Sequence, residues 1–192
     1  MKALLFLLTA ASLTVAAPVP KELRAKRPDY RPMAVGDKRE YANPADPKTV
    51  TEVREITRVE VDGKVRRYTQ TFSATSGTMV LTVDANGVVG LAEQNGRESP
   101  GVHKIVAPNM KEGDSWPCND AIGRVRTVGK AERVAVPAGT FTAVPVTVSY
   151  PAGQALPTVV SWYADGVGLV RQDSGGRPAL VLVKYTPGKE KK

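Results

Sequence analysis

Short runs rich in Val, Thr and Tyr, separated by turn dipeptides, constrain the fold of this chain more than any other feature. "TEVREITRVEVDGKVRRYTQTFSA" contains two such runs joined at Asp62-Gly63, and "TMVLTVDANGVVGLAEQ" contains two joined at Asn86-Gly87. Both dipeptides favour the positive φ angles of a tight turn, so each run is predicted to pair antiparallel with the next. Six later runs repeat the pattern: "VHKIVA", "GRVRTVGKAERVAV", "FTAVPVTVSY", "TVVSWYA", "VGLVRQD" and "ALVLVKY".

These runs predict an all-β domain of about ten strands, because no segment shows helical periodicity over a convincing length. Strands at this spacing are typical of a sandwich, a barrel or a strongly curved half-barrel. Of these we predict a single antiparallel, strongly curved sheet, either a half-barrel or barrel-like. Pro145 interrupts "FTAVPVTVSY" and cannot donate a ladder hydrogen bond. We therefore expect an edge strand or a bulge at that position.

The N-terminal seventeen residues, "MKALLFLLTAASLTVAA", have the features of a secretory signal peptide. Lys2 precedes an apolar run that is too short to span a bilayer, and small residues favour cleavage after Ala16. We therefore assign 1–17 to the signal, 18–32 to a basic, Pro-rich and poorly ordered leader, 33–186 to a single β domain and 187–192 to a basic tail. The chain is predicted to be exported to the periplasm or the medium, without a transmembrane span.

The net charge of +8 is concentrated at the chain ends. Residues 18–32 carry five cations against two acids, whereas residues 33–183 carry seventeen cations against sixteen acids. A nearly neutral body argues against specific nucleic-acid binding, which needs a basic face within the fold. The basic ends leave one alternative open, which is peripheral attachment to an anionic component of the envelope.

The chain lacks the residues that most hydrolytic or metal sites require. His103 is the only histidine and Cys118 the only cysteine, so neither a zinc cluster nor a complete Ser-His site at Ser115 in "GDSWP" is expected. No catalytic residue, metal or cofactor is predicted. An alternative that remains open is a hydrolase using paired carboxylates. Its candidate acids are Asp114, Asp120, Asp165 and Glu132.

Cys118 has two interpretations that the sequence does not separate. In an exported protein a single cysteine cannot form an internal disulfide, so Cys118 is either a buried small hydrophobe or part of an intermolecular bridge. Burial is the favoured interpretation.

The segment "DGVG" resembles a phosphate-binding glycine loop, but the following residues argue against one. Gly166 and Gly168 are followed by Leu169, Val170 and Arg171, so the third glycine of a dinucleotide fingerprint is missing. The next segment has a strand pattern instead of a helix pattern. We therefore interpret "DGVG" as a turn between two strands.

Four aromatic residues are candidate ligand-binding residues. Aromatic side chains dominate the linings of small-molecule sites, although at strand spacing they also fill protein cores. The candidates are Trp162, Tyr163, Trp116 and Phe141. The predicted partner is therefore a hydrophobic small molecule or an envelope component.

The dipeptide Gly-Asp occurs at equivalent points before two hairpin-rich halves. "AVGDKREY" begins at residue 34 and "KEGDSWPC" at residue 111, with the shared dipeptides 77 positions apart. Two explanations for this repetition remain open: duplication of a half-barrel and chance recurrence of a turn dipeptide.

The segments "VPAGTFTAVPV" (136–146) and "SWYADGVGLVRQ" (161–172), together with the two Gly-Asp dipeptides, resemble the TapB-like family of bacterial exported proteins of unknown function. The resemblance covers the second half of the chain well and the first half loosely. In the first half, many family members have an aromatic residue two positions after the first Gly-Asp, where this chain has Arg39. The resemblance implies a curved antiparallel sheet or half-barrel and brings no catalytic residues.

We therefore predict an exported, non-enzymatic β domain that acts as a binding or scaffold module. A curved sheet with a concave apolar face would suit an apolar ligand. This hypothesis requires a cavity of several hundred cubic ångströms that the protein's own side chains do not fill.

Overall fold

The structure is a computed structural model that describes residues 28–118 and 120–189, without the side chains of residues 100–103. All thirteen regular elements in these ranges are strands, so none supplies an apolar helix long enough to cross a membrane. The strands are Lys38–Asn43 (β1), Asp46–Asp62 (β2), Val65–Phe72 (β3), Gly77–Val83 (β4), Val89–Gln94 (β5), Arg97–Val106 (β6), Ser115–Pro117 (β7), Val125–Val128 (β8), Glu132–Val136 (β9), Gly139–Ser149 (β10), Val159–Ala164 (β11), Gly168–Ser174 (β12) and Arg177–Thr186 (β13).

The thirteen strands form one antiparallel sheet, as the sequence predicts. Their order is β6-β5-β4-β3-β2-β1-β13-β12-β11-β10-β8-β7, and β9 also pairs with β10. Two antiparallel meanders, β1–β6 and β7–β13, are therefore joined through the β1–β13 ladder. The predicted number of about ten strands is too low, because β1 and β7 are short and because "GRVRTVGKAERVAV" forms two strands, β8 and β9.

The two end strands of the sheet, β6 and β7, approach each other through side chains. Trp116 Nε1 on β7 donates a hydrogen bond to the Lys104 carbonyl on β6 at 2.8 Å, and Arg126 donates to the same oxygen at 3.0 Å. In the described ranges no ladder joins these strands. In a flat sheet they would lie about 50 Å apart. The contact thus favours strong curvature, which stays a prediction.

The first Gly-Asp dipeptide forms a hydrogen-bonded turn before β1. Gly36 has a φ of +88°, and its N–H donates to the Ile56 carbonyl at 2.8 Å. The Ile56 N–H donates back to the Asp37 carbonyl at 3.0 Å. Asp37 Oδ2 accepts the Ala34 N–H at 2.6 Å, which closes the turn.

The second Gly-Asp dipeptide repeats this arrangement before β7. Gly113 has a φ of +87° and donates to the Val128 carbonyl at 2.9 Å, while the Val128 N–H donates to the Asp114 carbonyl at 2.9 Å. Asp114 Oδ2 accepts the Lys111 N–H at 2.9 Å. The same bonds, in the same order, thus begin both meanders, which favours duplication of a half-sheet over a chance echo.

Both predicted hairpins form where the turn dipeptides lie. β2 and β3 meet at Asp62-Gly63, and Gly63 has a φ of +57°. β4 and β5 meet around Asn86-Gly87, in a loop closed by Asp84 Oδ1, which accepts the Asn86 and Val88 N–H groups.

Pro145 lies in the interior strand β10, at the point where its neighbour is interrupted. β10 pairs with β9 up to Ala143 and with β8 from Val146, while the Gly129 N–H donates to the Pro145 carbonyl at 2.8 Å. The missing donor of Pro145 thus coincides with a gap between two strands. The expectation that Pro145 lies in an edge strand is therefore wrong, because β10 has partners on both sides. The irregularity expected at Pro145 takes the form of a break between β8 and β9, the strands opposite it.

One apolar cluster includes residues from both meanders. Tyr41, Ile56 and Leu81 in the first meander and Val170 and Leu182 in the second are fully buried.

Cys118 is a free, buried cysteine, which confirms the prediction of burial. Burial raises the pKa of its thiol, against the opposing charges of Arg126 and Arg124.

Candidate functional site

Asp37 and Arg39 form a buried pair that connects both ends of the described chain to β1. Their side chains are 3% and 4% exposed and lie 3.9 Å apart. Asp37 Oδ1 accepts the Tyr185 hydroxyl at 3.0 Å and the Gly188 N–H at 2.7 Å, and Arg39 donates to the Pro32 carbonyl at 2.8 Å. The residues before β1 and after β13 are therefore held against the sheet.

The "DGVG" segment forms the predicted β11–β12 turn and also makes room for Arg39. Arg39 Nε donates to the Val167 carbonyl at 2.7 Å. Gly168 has a φ of +92°, and a Cβ there would lie 3.2 Å from Arg39 Nε. The Gly166 N–H donates to the Asp29 carbonyl at 2.9 Å, so the same turn also holds the segment before β1.

An open groove of ≈ 440 Å³ lies beside the far end of the β2–β3 hairpin. In the ladder Val59 lies opposite Tyr68 and Val61 lies opposite Arg66, so these four side chains share one face of the sheet. We call this space the β2–β3 groove. It is lined by Met33, Ala34, Val35, Val59, Val61, Arg66, Tyr68 and Lys189.

The β2–β3 groove combines an apolar floor with two cations. Tyr68 is buried in the core, whereas Val61 is 70% exposed, so the apolar face continues from the core out to solvent. Arg66 and Lys189 contribute the positive charges, and the Lys189 N–H donates to the Val35 carbonyl at 3.2 Å. Its volume lies in the range of small-molecule sites.

Trp162 and Tyr163, two of the predicted ligand-binding residues, are neighbours on β11 and therefore face opposite ways. Trp162 Nε1 donates to Glu132 at 2.5 Å, and the Arg171 guanidinium lies 4.9 Å from the centre of its ring. Tyr163 is buried and lines a small cavity beside Arg31.

The other two predicted residues lie elsewhere. Trp116 is buried at the β6–β7 contact, with Lys104 Nζ 4.1 Å from the centre of its ring. Phe141 lines a separate open depression with Val167 and Tyr185. The structure therefore does not bring the four aromatic residues into one pocket.

The four acids considered for a hydrolase all accept hydrogen bonds from neighbouring groups. Asp114 accepts from its own turn, Asp165 accepts the Asp29 N–H at 2.6 Å, and Glu132 accepts from Trp162. Burial alone would raise the pKa of Asp120, but hydrogen bonds and the Arg124 charge hold it below its usual value. In the described part of the chain, no group of three His, Cys, Asp or Glu side chains is suited to a metal ion.

The residues of the β2–β3 groove were not identified as a site from the sequence. The available signal was the pair of alternate valines, Val59 and Val61, just before the Asp62-Gly63 turn. The register of a tight hairpin places Tyr68 and Arg66 opposite them. The contributions of Met33 and Lys189 arise from tertiary contacts, which no local pattern encodes.

A protein-family model described as DUF3108-like matches residues 115–177, about a third of the chain. This segment runs from β7 to the first residue of β13 and includes the "SWYADGVGLVRQ" motif. No match is found among curated protein sequences.

Two solved structures are similar to this chain. One is a candidate exported protein from Bacteroides fragilis with a YmcC-like fold; it is 16% identical, with 83% of this chain and 100% of that chain covered and a TM-score of 0.52. The other is a candidate lipoprotein from Parabacteroides distasonis, 16% identical, with 84% and 100% covered and a TM-score of 0.49. The first likeness relates this chain to a YmcC-like fold.

Proposed function

We propose that this protein is a non-enzymatic, extracytoplasmic binding module that holds an amphiphile in the β2–β3 groove. The amphiphile would have an apolar chain and an anionic head group. The observation that carries the proposal is the continuous apolar face from Tyr68 to the exposed Val61, bordered by Arg66 and Lys189.

The apolar floor supports binding of a hydrocarbon chain. Val61 is far more exposed than Val59, its neighbour on the same face. Covering a valine of this exposure would stabilise a complex by about 1 to 2 kcal/mol. Because the face continues into the core at Tyr68, a chain lying along it would contact side chains that are already held in place.

The charges support an anionic head group. Arg66 projects from the same face as the valines, and Lys189 also lines the groove. The basic leader sequence "PVPKELRAKR" (18–27) carries the same charge as these residues, which disfavours it as the occupant.

An extracytoplasmic location is supported by the signal-like N-terminus and by the similar Bacteroides fragilis structure, which is described as a candidate exported protein. The TapB-like resemblance is compatible with it and stays a prediction. Residues 1–27 and 190–192 lie outside the described residues, so the predictions of a signal peptide and of attachment through the basic ends also stay predictions.

A non-enzymatic role is supported by the hydrogen bonds of the candidate acids. Asp114 and Asp120 each accept backbone N–H groups of their own turns, and Asp165 accepts the N–H of Asp29 in the segment before β1, which are structural uses of a carboxylate. If the carboxylate hypothesis were correct, substituting one of these acids would abolish hydrolysis without unfolding the protein.

Binding should be measured by titrating the purified protein with a long-chain fatty acid that carries an environment-sensitive fluorophore. We expect saturable binding that Val61→Asp weakens by about tenfold or more, because a carboxylate would enter the apolar floor. Val50→Asp is the matched control, since Val50 is an exposed valine of β2 outside the groove. Equal losses in both variants, or no saturable binding, would refute the proposal.

The head-group preference requires a second pair of variants. Arg66→Gln should weaken binding of a fatty acid more than binding of the corresponding fatty alcohol. Arg67→Gln, on the opposite face of β3, should change the affinity for neither ligand. Native mass spectrometry of protein purified gently from its own host should reveal an adduct of lipid-like mass that organic extraction removes. A clean apoprotein mass would count against a resident lipid.

A further inference from the structure

Residues 187–189 continue past the end of β13 and reach the β2–β3 groove, where Lys189 contributes to the lining. The Gly188 N–H donates a hydrogen bond to Asp37 Oδ1 at 2.7 Å. The Lys189 N–H donates to the Val35 carbonyl at 3.2 Å. We call residues 187–189 the C-terminal strap, because these two bonds hold it against the turn that precedes β1.

The strap approaches this turn so closely that a side chain does not fit at position 188. A Cβ added to Gly188 would lie 2.5 Å from the Asp37 nitrogen and 2.5 Å from the Val35 carbonyl oxygen. Both atoms belong to the backbone, so neither can rotate out of the way. Gly188→Ala would therefore displace the strap from the turn, whereas a Cβ on Gly153 would meet no atom within 4 Å.

Asp37 holds two parts of the groove lining at once. Its Oδ2 accepts the Ala34 N–H at 2.6 Å, and its Oδ1 accepts the Gly188 N–H and, at 3.0 Å, the Tyr185 hydroxyl. Ala34 lines the groove directly, and Gly188 precedes Lys189, which also lines it. The position of the Lys189 charge therefore depends on a buried carboxylate that is not itself part of the groove lining.

We propose that the C-terminal strap is a movable part of the groove, with Gly188 as the residue that allows it to close and Lys189 as the cation that it positions. The inference rests on the proposed function, because the positioned cation would meet the anionic head group. A chain segment beyond the last strand opens locally at a lower free energy than the ladder beside it. Opening would carry the Lys189 charge away and would let solvent reach the groove floor at Tyr68, which is 6% exposed.

The first test needs no ligand and compares Gly188→Ala with Gly153→Ala. Amide hydrogen exchange at 188 and 189 should be slowed by the strap bonds in the wild type and should be about tenfold faster or more in Gly188→Ala. Hydroxyl-radical labelling of Tyr68 should rise by about twofold or more in the same variant. Labelling of Tyr163, which lines the small cavity beside Arg31, should stay constant.

Gly153→Ala is the control for a general loss of stability. Gly153 has a φ of +89°, so the substitution strains a loop without reaching another group. It should change neither the exchange at 188 and 189 nor the labelling of Tyr68. Unchanged exchange or unchanged Tyr68 labelling in Gly188→Ala would overturn the inference.

The second test compares binding of the fatty acid with binding of the corresponding fatty alcohol. Lys189→Gln should reduce the preference for the acid by about threefold, as expected for loss of an exposed charge pair. Gly188→Ala should reduce this preference equally, because it displaces the same charge. The double variant should lose no more than either single variant, since a displaced lysine has no head-group contact left to lose. Additive losses would overturn the positioning role of Gly188.

Failure of the strap and failure of the proposed function give different results. If the wild type bound both ligands and Gly188→Ala kept its preference for the acid, the binding site would stand and the strap would not control it. If the wild type bound neither ligand, the amphiphile proposal would be refuted. The exchange and labelling rates would then still decide whether the strap closes the groove.

Discussion

The two meanders each contain a long hairpin, and these hairpins end differently. In the second meander, β9 contacts β12 and β13 as well as its partner β10, and the Ala138 N–H donates to the Leu182 carbonyl at 3.1 Å. In the first meander, β2 continues for 17 residues, and Val61 near its tip is 70% exposed. The second hairpin therefore covers a face of its own sheet, whereas the first leaves a groove.

Breaks in the backbone ladder explain this difference. β8 and β9 are separated at Gly129, opposite Pro145, and a Cβ on Gly129 would lie 2.9 Å from Pro145 Cγ. β2 has only register shifts of the bulge type, one of them between Ile56 and Arg58. A strand that is interrupted can redirect its tip, and a strand that only bulges continues past the core.

The largest expected effect concerns the two Gly-Asp turns. Asp37→Ala should reduce the free energy of unfolding by about 3 to 5 kcal/mol, because it leaves Arg39 buried without its carboxylate and removes three further hydrogen bonds. Asp114→Ala, at an exposed position, should cost about 1 kcal/mol. Urea denaturation measures both. Equal losses in the free energy of unfolding would mean that the two turns contribute equally to stability, which would contradict the prediction.

The next effect compares the two hairpins. Val134 on β9 is 5% exposed. Val134→Ala should therefore reduce the free energy of unfolding by about 2 kcal/mol, because apolar burial is lost and a cavity forms. Val61→Ala should change stability by about 0.5 kcal/mol or less. The same urea titration provides the measurement. A larger loss for Val61 would show that the groove is closed in solution.

A further expected effect is a pH dependence of the first turn. Burial and the neighbouring Asp37 charge raise the pKa of Tyr185 to about 12 from its usual value of 10. The unfolded chain therefore loses this proton first, and the stabilising contribution of neutral Tyr185 is lost as pH rises from 10 to 12. Melting temperatures over this range should fall more steeply in the wild type than in Tyr185→Phe. Parallel curves would contradict the prediction.

The sequence predicts the hairpins well, because Asp62-Gly63 and Asn86-Gly87 specify turns through local backbone preference. It predicts β1 and β7 poorly, because "KREYAN" and "SWP" lack an apolar alternation long enough to identify a strand. Pro145 was recognised as an irregularity, but only the tertiary pairing shows that the interruption lies in the neighbouring strand.

The candidate site was less predictable than the fold. Conspicuous aromatic residues suggested one pocket, although the two-residue period already separates Trp162 from Tyr163. The β2–β3 groove depends on residues from β2, β3 and both ends of the described chain. Arg31 lay in a segment interpreted as a poorly ordered leader, and its contact with Gln70 depends on the folded sheet.

The most direct test of this account is an NMR titration of isotope-labelled protein with a long-chain fatty acid. We predict saturable shifts of the backbone amides at 33–35, 59–61 and 66–68, and unchanged amides at 134–141, where the second hairpin covers its own sheet. Shifts confined to 134–141, or no saturable shift at any amide, would contradict the assignment of the β2–β3 groove as the binding site.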